Sequence, residues 1–104
     1  MNHITIDGIV KEEARMELFH EKDGTETPML VFLLLDTGAP FSKKRPTCIE
    51  VNFKKGDAAT SIYPYMKTGK PVIVYGSLET KGSRDPRYYI AAEIVKFMPK
   101  GDAA

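Results

Sequence analysis

Apolar residues in this chain recur mostly at every second position, the spacing that gathers side chains on one face of a β-strand. Ile4, Ile6, Gly8 and Val10 share one parity, and Met16 and Leu18 resume the pattern after the polar break Lys11 to Glu13. A long first strand, bent at that break, is expected. Asp23-Gly24, inside the stretch His20 to Thr27, is a strong turn pair and predicts a hairpin into a second strand. That strand, Met29 to Leu35, is apolar at every position, as in a strand buried on both faces; periodicity alone leaves a short buried helix open. Gly38, Pro40 and Pro46 make Thr37 to Pro46 a loop. Thr47, Ile49, Val51 and Phe53 alternate with Cys48, Glu50 and Asn52, which predicts a third strand with one wet face. Asp57 is expected to cap a short helix from Ala58 to about Met66, limited by Pro64 and ended by Gly69. Val72 to Leu78 alternates as a fourth strand, Lys81 to Pro86 is a loop, and Arg87 to Met98 is a fifth strand.

Five strands with a helix between the third and fourth is the order of an OB-fold, an all-β, five-stranded Greek-key barrel that commonly binds oligonucleotides or oligosaccharides. Gly76 fits, because a glycine inside a barrel strand allows the bend that closure requires. An SH3-like barrel is the second choice, since it would lack a helix of this length. The 104 residues, 42% of them hydrophobic, suit one domain, expected over 1–98, with 99–104 as a short C-terminal tail. No run without a charge is longer than Thr27 to Leu35, which is far below the roughly 20 apolar residues that span a bilayer. No basic segment followed by an apolar block and a cleavage site opens the chain, so a cytoplasmic protein away from membranes is expected. One cysteine, Cys48, closes no intramolecular disulfide and builds no zinc site alone.

Charge changes the picture through its placement. The net charge is only +1. Residues 1–36 hold three basic against eight acidic side chains, and residues 37–104 hold 12 basic against six acidic. One anionic and one cationic surface follow if the fold keeps the halves apart; interleaving would give an ordinary mixed surface. The basic clusters are Lys43-Lys44-Arg45, Lys54-Lys55, Lys67 with Lys70, and Lys81 with Arg84 and Arg87, nearly all in loops or at strand ends.

Catalytic patterns are missing from the sequence. His3 and His20 stand in no metal-ligand motif, no phosphate-binding glycine loop of either common type occurs, and Cys48 on a strand has no histidine nearby in sequence to activate it. A non-enzymatic protein without cofactor or metal is expected.

Several segments resemble the bacterial single-stranded DNA-binding protein family. Met1-Asn2 with Ile4, Ile6, Gly8 and Val10 is similar to the family's first strand, and Tyr65-Met66-Lys67-Thr68-Gly69 to its helix end and turn. Val72, Val74, Gly76, Leu78 and Thr80, followed by Tyr88, Tyr89 and Glu93-Ile94-Val95, resemble its last two strands. The resemblance implies an OB-fold that binds single-stranded DNA in replication, recombination or repair, as a homo-oligomer (dimer or tetramer) in contact with replication proteins. The departures matter. Tryptophans on which the family stacks bases are missing: Thr47 stands at one such place and Ser83 lies in the loop after the fourth strand. The family's long tail with an acidic tip is replaced by Gly101-Asp102-Ala103-Ala104, which removes the expectation of recruitment through a tail. A bare domain of this kind is also similar to primosomal replication protein N, so a non-catalytic adaptor in a replication or restart complex is the alternative, and an RNA-binding variant a third.

Sequence-independent binding of an unpaired strand needs cations along the phosphates and flat rings under the bases. Phe41 beside Lys43, Lys44 and Arg45 pairs both in one loop, although the ring could also fold onto the barrel or into an oligomer contact. Lys54, Lys55, Lys81, Arg84 and Arg87 extend the cationic path. Tyr75 should face outward on the fourth strand, with Ile73 beside it, as a stacking platform or a subunit interface. Tyr88 and Tyr89 are adjacent, so one ring faces out; Tyr88 is carried as the candidate. Phe53 is in conflict, since period two places it in the core and the resemblance places it on the ligand face. Tyr63 and Tyr65 are expected to be packing residues of the helix.

Overall fold

The computed structural model describes residues 1–36, 47–82 and 84–98. Six strands form one sheet: β1 (Ile4–Val10), β2 (Arg15–His20), β3 (Glu26–Asp36), β4 (Thr47–Phe53), β5 (Pro71–Lys81) and β6 (Arg87–Phe97). Their order is β1-β5-β6-β4-β3-β2, and β1 also pairs with β3, through Ile9 with Leu35 and Val10 with Leu34, which closes the sheet into a barrel. β1 and β2 are the two halves of the bent first strand. At the bend the Ala14 side chain is buried and the Lys11 N–H donates to Leu33 O at 2.8 Å. β4 and β6 run parallel; every other pair is antiparallel. This is the five-stranded OB-fold, with its first strand interrupted.

Inward parity builds the core. Leu30, Phe32 and Leu34 of β3, Val51 and Phe53 of β4, Val72 and Val74 of β5, and Ile90 and Ala92 of β6 meet there. Phe53 is 4% exposed, so the period-two argument wins and its candidacy as a stacking ring is withdrawn. The apolar run of β3 is a strand, and Val31, on its outer face between Arg15 of β2 and Asn52 of β4, is 2% exposed.

One end of the barrel is plugged by α1 (Asp57–Ile62) and a 3-10 turn, Tyr63–Tyr65, whose Ala59, Ile62 and Met66 side chains join the core. Asp57 is the first helical residue rather than the cap; Gly56, at φ 51°, occupies the cap position with no side-chain bond. Tyr63 and Tyr65 are exposed instead of packed in the core, and Tyr65 meets Phe97 edge-on at 6.4 Å. Pro64 lies in this 3-10 turn, none of whose three residues is buried.

Two glycines sit where backbones press together. A Cβ on Gly8 would lie 2.3 Å from Leu35 O at the closure, and one on Gly76 would lie 2.3 Å from Ala91 O. At Gly76 the ladder shifts: Tyr75 pairs with Ile94 but Gly76 pairs with Ala92, leaving Glu93 as a bulge. No helix among the described residues is long and apolar enough to cross a membrane.

Candidate nucleic-acid interface

The bulge sets which side chains face outward on β6. Ile90 and Ala92 are buried, so Tyr89 and Ala91 point out beside their β4 partners Glu50 and Asn52. β2 and β3 add Phe19 and Met29, and the end of β4 adds Lys54 and Lys55. Lys81 arrives from β5. Together they line a groove of about 490 Å³ on the outside of the barrel, with Ala91 in its floor. A small side chain in a lining that also holds the Phe19 and Tyr89 rings leaves room for a flat group.

Each groove lysine is held by a carboxylate. Lys54 Nζ lies 3.1 Å from Glu21 and 3.9 Å from the centre of the Phe19 ring. Lys55 Nζ lies 3.1 Å from the bulged Glu93. Lys81 belongs to β5, yet it forms its ion pair with Glu50 of β4, across the intervening β6, and its ammonium stands 5.3 Å from the centre of the Tyr89 ring. With its amide nitrogen turned towards acceptors, Asn52 donates to the same Glu50 carboxylate at 3.0 Å. Arg87 stands directly opposite Lys81 in the β5–β6 ladder, and Arg84 is exposed in the turn between them; neither forms an ion pair among the described residues.

Of the candidates named from sequence, Lys54, Lys55 and Lys81 come together, with Arg87 adjoining. Tyr75 faces outward as expected but lies past the bulge, over a separate depression with His3, Thr5 and Ser77. Tyr88 is 63% exposed, yet it shares the parity of buried Ile90, precedes the first residue of β6 that pairs with β4 and does not line the groove. Its neighbour Tyr89 supplies the groove ring. Phe41, Lys43, Lys44 and Arg45 lie outside the described residues. Phe19, Met29, Asn52 and Tyr89 were missed. Phe19 was within reach, since Met16, packed against the core, sets the opposite parity to Phe19 on a strand that the Asp23-Gly24 turn folds back.

That turn is well held: the Asp23 carboxylate accepts from the Thr25 hydroxyl at 2.7 Å and the Thr25 N–H at 3.0 Å. The two bonds, the hydroxyl foremost, hold the Asp23 pKa below its ordinary value of 3.8. Among the described residues no group of three histidine, cysteine or acidic side chains could hold a metal ion.

Fold and groove together define an OB-fold protein with an elongated, ring-bearing surface groove. No protein-family model matches the sequence, and no curated protein sequence matches it significantly. Solved structures do match its fold. The chain is similar to a small single-stranded DNA-binding protein from Streptomyces coelicolor, with TM-score 0.71 and 19% identity over 92% of this chain and 91% of that one. It is similar to the SSB domain of a Synechococcus protein, with TM-score 0.67 and 19% identity over 92% and 94%. A deletion variant of the single-stranded DNA-binding protein from Thermus aquaticus matches with TM-score 0.72 and 15% identity over 96% of this chain and 42% of that one.

Proposed function

We propose that the protein binds single-stranded DNA without strong sequence preference, along the groove between β2 and β6, with bases on the Tyr89 and Phe19 rings and phosphates on Lys54, Lys55 and Lys81. It does so as a non-enzymatic, cytoplasmic protein in replication, recombination or repair, the processes that expose unpaired strands. The observation that carries this reading is the combination in one groove of two outward rings, a small-residue floor and three lysines. Stacking is worth roughly 1–3 kcal/mol per base and is indifferent to sequence, since every base has a flat face. The three solved structures of similar fold, which are named as single-stranded DNA-binding proteins or domains, support it.

Oligomer formation, as a dimer or tetramer, belongs to the same proposal. The outer face beyond the bulge presents Ile73, Tyr75 and the exposed Ile94 side by side, an apolar strip that a second copy would cover. A second reading is an adaptor that binds a replication protein through this barrel. The pairing of all three groove lysines with glutamates favours it, because it leaves the groove near electrical balance.

Titration of labelled oligo-dT, duplex DNA and oligo-U of equal length at two salt concentrations separates these readings. Salt-sensitive binding of oligo-dT, stronger than of duplex or oligo-U, is expected at micromolar protein; its absence contradicts DNA binding and leaves the adaptor.

A further inference from the structure

In the groove, positive charge is counted against an equal number of carboxylates. Lys54 faces Glu21, Lys55 faces Glu93 and Lys81 faces Glu50. A phosphate approaching any of these ammonium groups meets a negative charge already in place. Lys81 adds a steric element, because its ion pair with Glu50 spans β6 and holds the ammonium 5.3 Å from the Tyr89 ring, on the ring a base would use. A polyanion that offers only charge therefore gains little here. A ligand that also brings flat bases recovers the loss by stacking.

Resting on the DNA-binding reading above, we infer that Glu21, Glu50 and Glu93 determine specificity: they act as built-in competitors for the groove lysines and restrict binding to polyanions with exposed bases. Like-charge contacts against the wrong partner are a recognised source of discrimination. Glu50 has the largest share, since it both neutralises Lys81 and draws it across Tyr89.

The test compares three proteins: wild type, the groove variant carrying Glu21→Gln, Glu50→Gln and Glu93→Gln, and a control carrying Glu12→Gln, Glu17→Gln and Glu26→Gln, which changes net charge equally without touching a groove lysine. Each is titrated with oligo-dT, duplex DNA of the same length and inorganic polyphosphate. Exposed ion pairs are weak, so loss of all three should tighten oligo-dT binding by on the order of tenfold, with little change in melting temperature. Polyphosphate and duplex should gain by a larger factor, shrinking the preference for oligo-dT, and the control should gain much less. Glu50→Gln alone should account for most of the gain on oligo-dT. If wild type binds oligo-dT and the groove variant binds it equally or more weakly, the glutamates position the lysines and the inference is wrong. Equal gains in the control and the groove variant overturn it as well, because global charge is then responsible. If wild type shows no oligo-dT binding, the DNA-binding reading fails and takes the inference with it.

Discussion

Tyr89 and Phe19 stand in the groove on strands that already hold their backbones, so each ring can be removed without opening the core. Replacing either with alanine should weaken oligo-dT binding by about 1–3 kcal/mol and barely change thermal stability, as fluorescence titration and calorimetry would report. Phe53→Ala should behave in the opposite way, losing about 3–5 kcal/mol of stability, because its ring is in the core. Asp23 gives a pH signature. Its folded pKa is depressed, so its contribution to the hairpin is present above the unfolded value of 3.8 and is lost as pH falls through the lower folded value. An NMR titration of the Thr25 amide should therefore show a midpoint below 3.8, and a midpoint at or above it would mean that the Asp23 bonds do not form. Residue roles were legible where parity was unbroken, as for Phe53 and Tyr75. Tyr89 was not, because reading back from inward Val95 and Phe97 without the bulge at Glu93 places it inside.

The strands, the hairpin at Asp23-Gly24 and the position of the helix were all visible as runs and breaks of hydrophobic spacing. What spacing cannot show is where two backbones touch. Gly76 was expected to ease a bend, but the contact with Ala91 and the register shift beside it depend on β6, a distant segment. Gly76→Ala should cost about 1–3 kcal/mol, the usual range for overfilling a tight site, measured by urea denaturation. The same change should also loosen the outward orientation of Tyr89, since the bulge that sets it would have to move. The first strand divides for a local reason that the sequence did display: Lys11, Glu12 and Glu13 have no place inside the barrel, and Ala14 is small enough to turn in where the chain bends. Asp57 looked like a cap because its residue type suits one, yet the positive φ of Gly56 moves the helix start by one residue.

Among the described residues, acidic and basic side chains from the two halves of the sequence meet in ion pairs and do not keep to separate surfaces. The fold interleaves the halves, bringing Glu21 from the acidic portion onto Lys54 from the basic one. Three groove lysines bound the salt dependence: at roughly 0.7 per phosphate neutralised, the log-log slope for oligo-dT should not exceed about 2 in magnitude. A steeper slope would bring in Arg84, Arg87 or the basic residues Lys43, Lys44 and Arg45. If the outer strip of Ile73, Tyr75 and Ile94 joins two copies, Ile94→Glu should lower the mass seen by light scattering, and a wild-type monomer would contradict that part of the proposal. In the proposed complex an unpaired strand lies across β2, β3, β4 and β6. The most direct test is amide NMR of the isotope-labelled protein during titration with a short oligo-dT. The largest shifts should cluster at Phe19, Asn52, Lys54, Tyr89 and Ala91, with Ile73, Tyr75 and the Tyr63–Tyr65 turn little changed. Shifts concentrated on the Ile73 and Tyr75 face or on that turn, with the groove unmoved, would contradict it.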